Sequence, residues 1–155
     1  MKKFKLPVLN PKFQKGFTLI ELLVVIAIIG ILATLLTANF IGVQQRSRDA
    51  QRKSNLRQMQ SALELYRSDN AAYPLDTSNP FATCNAPFGA GSVTYMQKVP
   101  CDPDGSPYTY TSNGNTYTLV ACLENKNDSD PQTNTTNPTP PCNTTTGVSY
   151  TLTNP

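Results

Sequence analysis

The chain has 155 residues and a formal charge of +3, enough for one small domain and an anchor. The charge is no nucleic-acid footprint: five of the 13 basic residues fall in the first 16, and the remainder sets eight bases against ten acids. Histidine is absent, which removes the usual general base and zinc ligand, and no P-loop, GxSxG or HExxH run occurs, so no enzymatic role is expected.

Residues 1–16 are basic, carry Pro7 and Pro11, and end at Gly16. Lysines 2, 3, 5, 12 and 15 beside an apolar run place this end in the cytoplasm by the positive-inside rule. From Leu22 to Ala38 there is no charged residue, and low polarity continues to Val43. About 20 apolar residues span a ~30 Å hydrocarbon layer. No proline interrupts the chain from Phe17 to Asn70, so one long helix of about 50 residues is predicted. Its first half, 17–43, is apolar on all sides and belongs in lipid or inside an assembly. Gly42, with Asn39, offers a soft break in it, since glycine weakens a helix by about 1 kcal/mol.

The second half, 44–73, is amphipathic. Leu56, Met59, Leu63 and Tyr66 recur at spacings of three and four. This stripe is expected to pack on the chain's own small domain, with a partner helix as the second reading. Arg46, Arg48, Arg52, Lys53 and Arg57 surround it and are read as a solvated face near anionic lipid or the acids of neighbouring subunits. Phosphate binding is the alternative. The run "SDNAAYP" ends the helix, because Pro74 biases Tyr73 away from helical geometry.

Residues 74–155 read as a small β-rich domain. A loop runs from Asp76 to Ser92, and "VTYMQKVP" is a short helix or strand. Asp102-Pro103-Asp104-Gly105 is turn chemistry. Tyr108–Thr111 and Thr116–Cys122, separated by "SNGN", form an antiparallel hairpin. The tail is Asn/Thr/Pro-rich, with Val148–Leu152 as a final strand. The fold class is therefore α+β.

All four cysteines, Cys84, Cys101, Cys122 and Cys142, lie after the apolar run, in a region poor in large aliphatics. A domain that small makes a thin core and uses staples, so two disulfides are expected. Zinc is disfavoured, because no C-x2-C spacing exists. Of the three possible pairings, Cys84–Cys101 with Cys122–Cys142 closes sequence-local loops and is preferred.

The run "KGFTLIELLVVIAIIGILA" places a glutamate, Glu21, at the start of an apolar segment. A secretory signal is cut after its apolar core. Here the small residue, Gly16, precedes the core. A cut between Gly16 and Phe17 leaves the apolar helix in the mature chain and creates an α-amine at Phe17. Phe17 and Glu21 then stand at i and i+4, on one helical face. Pairing that amine with Glu21 offsets the cost of burying either charge. The other reading has Glu21 at the interface, reaching into headgroups.

On these residues the run resembles the class III signal and N-terminal helix of the type IV pilin superfamily, which includes pilus subunits and the pseudopilins of type II secretion. "DAQRKSNLRQMQSALELYRSDNAAYP" and "DPDGSPYTY" are similar to the major pseudopilin and to short pilins of that kind. The resemblance implies a pilin-like fold, a long helix packed on a small antiparallel sheet. It implies a prepilin, cut after Gly16 and N-methylated at Phe17 by prepilin peptidase. It implies an inner-membrane precursor that crosses once and then joins a periplasmic or extracellular filament. It implies that Glu21 engages the Phe17 amine of an adjacent copy. The implied partners are further copies of the chain, the peptidase, the inner-membrane assembly platform with its ATPase, and membrane lipid. Pilus and pseudopilus both remain open, as does a minor pilin or membrane-anchored module binding DNA or surfaces. No cofactor is implied beyond a structural calcium ion, for which Glu124, Asn125, Asn127, Asp128 and Asp130 of "LENKNDSDP" would supply oxygens. A plain solvated loop is the competing reading. The four cysteines depart from the type II subunit, and no helix-breaking proline follows the first turns.

Overall fold

The computed structural model describes residues 16–136, 138–142, 145 and 147–155, without the side chains of 35–39. Lysines 2, 3, 5, 12 and 15 and the Asn39 side chain thus lie outside the described residues. One helix, α1, runs Leu19–Asn70. Strands follow at Phe88–Ala90 (β1), Val93–Met96 (β2), Thr109–Ser112 (β3), Tyr117–Leu123 (β4), Thr133–Asn134 (β5) and Val148–Thr153 (β6). The chain divides into two compact units, Met1–Asn39 and Phe40–Pro155.

In the first unit α1 exposes Leu19, Ile20, Leu22, Val25, Ile29 and Leu32 around its whole circumference. Such a helix has no apolar stripe to bury in its own chain. Among the described residues no helix is long and apolar enough to cross a membrane.

In the second unit the predicted stripe is the helical side of the core. Leu56, Met59 and Leu63 are fully buried, Ala62 nearly so, and Tyr66 packs at the edge. The partner surface is the chain's own sheet, which has the order β3-β4-β6-β5 and is antiparallel throughout. Period-two alternation sends Tyr117, Leu119, Ala121 and Leu123 of β4 and Val148, Tyr150 and Leu152 of β6 into the core. Each such aliphatic side chain contributes roughly 1.5–3 kcal/mol by leaving water.

The shortage of aliphatics is met by aromatic rings. Phe81 meets Phe88 and Tyr110 edge-on, each at 5.4 Å, and Tyr73 meets Tyr117 at 4.6 Å. Tyr66 stacks on Phe88 at 5.5 Å, which fixes the β1–β2 hairpin to the end of α1. The helix closes where Ala71 enters the left-handed region at φ 62° and donates to the Arg67 carbonyl at 2.8 Å.

The β3–β4 hairpin matches the sequence expectation to within a residue, its turn set by Gly114 at φ 89°. Strands β1 and β5 and a 3₁₀ turn at Asp76–Ser78 lie in stretches read as loop. They are two or three residues long, too short to carry a periodicity.

The cysteines depart from the expectation of two disulfides. Cys122 and Cys142 are bonded, tying the segment before β6 to β4. Cys84 and Cys101 are thiols. Cys84 Sγ lies beside Cys101 and faces the Gly105 carbonyl at 3.9 Å, and Cys101 Sγ accepts from Asn85 Nδ2 at 3.4 Å.

Candidate functional site

Two groups of polar residues stand out, one at the start of α1 and one where α1 meets the loop after β4. At the start, Gly16, Phe17 and Thr18 precede the helix and are exposed. Space around Gly16 is open, and Phe17 is 84% exposed. The Gly16–Phe17 peptide is therefore non-helical backbone. Thr18 is the N-cap: its backbone N–H and its hydroxyl both donate to Glu21 Oε2 at 2.8 Å, and Glu21 N–H donates back to Thr18 Oγ1 at 3.3 Å. This reciprocal pair is a capping box, which satisfies amide donors that a helix start leaves free.

The expectation of Phe17 and Glu21 on one helical face concerns the chain cut after Gly16, whereas here Gly16 is still joined to Phe17. Phe17 lies two residues before the helix, so it does not share a helical face with Glu21. In the uncut chain Glu21 is bound by Thr18 instead. The signal was legible, since "TLIE" is a Thr-x-x-Glu run ahead of aliphatics.

The second group is built from α1, the Asp102 turn and the loop following β4. Arg52, almost wholly buried, holds three carboxylates. Its Nε and Nη2 make a two-pronged contact with Asp102 at 2.8 and 2.9 Å. Its Nη1 reaches Asp49 Oδ1 and Glu124 Oε1, each at 2.9 Å. Asp49 also accepts the Glu124 and Asn125 amides at 2.9 and 2.8 Å. Asn55 donates to the Cys101 carbonyl at 3.1 Å and to the Tyr108 hydroxyl at 2.9 Å. Arg48 closes on Glu124 from outside, Nε to Oε1 at 2.7 Å.

The electrostatics follow the contacts. The hydrogen bond from Arg48, reinforced by Arg52 against the cost of burial, holds the Glu124 carboxyl at about 2. Burial opposes ionisation of Asp128, but Lys53, the Asp130 amide and Thr133 outweigh it and lower its pKa. Burial pushes the Tyr108 hydroxyl up to about 12.

These contacts correct the reading of the basic cluster as a solvated face. Arg48, Arg52 and Lys53 each face a carboxylate of their own chain, and Arg57 lies 3.9 Å from Asp130. A charge list along one helix does not show this, because the acids come from 50 to 77 residues away, apart from Asp49. Sequence reasoning missed Asp102 for that reason, and Asp49 despite its nearness to Arg52. The neighbouring spacing of Asp49 and Arg52 was the available signal.

An exposed all-apolar helix start with a capped glutamate, continuous with a helix clasped to a small antiparallel sheet, is the architecture of a pilin-like subunit. The comparisons narrow the class. The prokaryotic N-terminal methylation motif matches residues 11–37, and the family of type II secretion system protein G matches residues 39–137. The type II secretion system core protein G of Aeromonas hydrophila is 36% identical over 107 residues, covering 65% of this chain and 75% of that protein. The core protein G of Pseudomonas aeruginosa is 35% identical over the same length, with the same coverage. That of Vibrio cholerae is 31% identical over 111 residues, covering 68% and 76%. No solved structure gives a significant match. The chain belongs to the type II secretion system protein G family.

Proposed function

We propose that this chain is the precursor of a structural filament subunit, the major pseudopilin of a type II secretion pseudopilus. The observation that carries the reading is the continuity of the two matches: a methylation motif over 11–37, followed at once by the protein G domain from 39. Relatives named as core protein G favour the secretion pseudopilus over a surface pilus. The role is structural, not enzymatic.

In this reading prepilin peptidase cuts between Gly16 and Phe17 and methylates the new amine. Residues 17–43 anchor the precursor in the inner membrane as one span, with 1–16 on the cytoplasmic side. The amine of one copy then meets Glu21 of its neighbour, replacing the Thr18 contacts. In low dielectric such a pair outweighs two separately buried charges. The apolar turns exposed in the single chain bury against those of other copies. The assembly platform and its ATPase drive the addition of subunits.

The test is intact-mass and N-terminal peptide analysis of the protein recovered from membranes and from sheared surface material. A chain beginning at N-methylated Phe17, retained with the membranes, is expected. A chain beginning at Met1, or cut after the apolar run, would overturn the reading. Abundance in the sheared fraction would turn it to a surface pilus.

A further inference from the structure

The resemblance to secretion pseudopilins implies a calcium ion in the loop after β4, but most carboxylate oxygens of that loop are already taken by donors of the chain itself. The loop does not fit the ion. Calcium takes six to eight oxygens at about 2.3–2.6 Å. Here Glu124 Oε1 is bound by Arg48 Nε at 2.7 Å and Arg52 Nη1 at 2.9 Å, and Oε2 by Arg48 Nη2. Asp128 Oδ1 accepts from Lys53 Nζ at 2.7 Å, Thr133 Oγ1 at 2.8 Å and the Asp130 amide at 3.0 Å. Asp130 Oδ2 accepts from Lys53 Nζ at 3.3 Å, and Oδ1 from the Gln132 amide at 3.1 Å. Asn125 Oδ1 accepts the Asn127 amide at 3.2 Å. Among the described residues no group of three or more acidic, Cys or His side chains is placed to hold a metal ion.

The position of Lys53 is the telling feature. Its ammonium bridges Asp128 and Asp130, two acids of one loop, and sits 5.2 Å from the centre of the Tyr150 ring. That is where a loop cation would have to enter. Across the whole network Arg48, Arg52, Lys53 and Arg57 oppose Asp49, Asp102, Glu124, Asp128 and Asp130, leaving one formal negative charge. A dication added to that set meets repulsion from Lys53 at short range.

We infer that Lys53 is the resident cation of the 124–130 loop: its ammonium, carried on α1, does what a bound calcium ion would do, and the fold of the second unit is indifferent to calcium. The loop is clamped to the helix by covalently tethered charges, so folding needs no metal from outside. The inference goes beyond the filament reading and does not rest on it.

Thermal unfolding of the full chain in detergent micelles tests this, followed by tyrosine near-UV circular dichroism with EGTA or with about 10 mM calcium chloride, above the weakest extracellular sites. The wild-type melting temperature is expected to change by less than about 1 °C. A site filled 100-fold above its Kd would raise it by roughly 10 °C, and a rise of that order overturns the inference. Lys53→Gln is expected to melt lower in EGTA and to recover part of the loss in calcium, because Asp128 and Asp130 are then vacated. A Lys53→Gln chain melting like the wild type in EGTA also overturns it. Should that variant not fold, terbium luminescence sensitised by tyrosine in the wild-type chain decides: no saturable signal is expected, and a saturable one displaced by calcium overturns the inference.

Discussion

Asp49 and Arg52 meet at 2.9 Å one helical turn apart, both side chains buried, and each serves partners that the other does not reach. Asp49 takes the amides of Glu124 and Asn125, while Arg52 takes Asp102. The pair thus joins α1 to the end of β4 and to the Asp102 turn. Asp49→Ala leaves two amides without acceptors and the guanidinium undercompensated. Breaking a buried pair costs about 3–5 kcal/mol, and the loss here is expected near 3 kcal/mol because Asp102 and Glu124 still face Arg52. Urea unfolding of wild type and variant measures it, and a loss below about 1 kcal/mol would remove the node from the account of stability.

Glu124 gives the node a pH dependence. Its folded pKa of about 2 lies below the ordinary 4.5, chiefly through the Arg48 hydrogen bond. A depressed carboxylate stabilises the fold fully above its unfolded value and loses that contribution as pH falls through the folded one. The window is therefore about pH 4.5 down to about 2. Glu124→Gln is expected to lower the melting temperature at pH 6 and to lose most of that effect as pH falls to about 2. Parallel wild-type and variant curves across the window would refute this.

The elements legible in the sequence are those with a long or redundant signal. The stripe Leu56–Met59–Leu63 spans two helical turns, and "SNGN" between two β-branched and aromatic runs has few other readings. Both stand where expected. Residues that act through distant partners were not legible. Arg52 carries no local mark that separates it from Arg46, yet its partners Asp102 and Glu124 lie 50 and 72 residues away. The same limit applied to Lys53: the acidic loop was visible, and so was the lysine, but not that the sheet brings them together at 2.7 Å. Glu21 is the opposite case, since its Thr18 partner is local and the capping box was there to be read.

The disulfide closes a sequence separation of 20, for which loop-entropy reasoning gives about 3 kcal/mol. Replacing Cys122 and Cys142 together by alanine is expected to cost that amount in reversible urea unfolding. Replacing Cys84 and Cys101 is expected to cost under about 1 kcal/mol, because both are only partly covered thiols. Equal losses from the two pairs would mean that both are bonded in the folded protein.

Cys84 should be a slow thiol. Burial, then the neighbouring Cys101, push its pKa up to about 11. At pH 7 the reactive thiolate is then about one part in ten thousand, against a few per cent for an ordinary cysteine. Iodoacetamide labelling followed by peptide mass analysis is expected to show Cys84 reacting about tenfold faster per pH unit up to about pH 11. Rapid labelling at pH 7 would contradict the shielded geometry.

Glu21 allows a substitution that separates two roles. The capping box needs an oxygen at Glu21 to accept from Thr18, and glutamine supplies one. Pairing with the Phe17 amine needs a negative charge, which glutamine lacks. If the cap were the whole function, Glu21→Gln chains would be processed and assembled like the wild type. Under the proposed function they are cut after Gly16 normally, retain the helix start, and assemble slowly or not at all. Glu21→Ala is expected to add loss of the cap, worth about 1 kcal/mol locally, without making assembly much worse than Glu21→Gln already does. Gly16→Ser, by contrast, is expected to leave uncut precursor in the membrane. Filament yield, set against the fraction of chains beginning at Phe17, distinguishes a block in assembly from a block in processing. Normal filaments from Glu21→Gln would show that the charge is dispensable and that the capping hydrogen bonds are what the position requires.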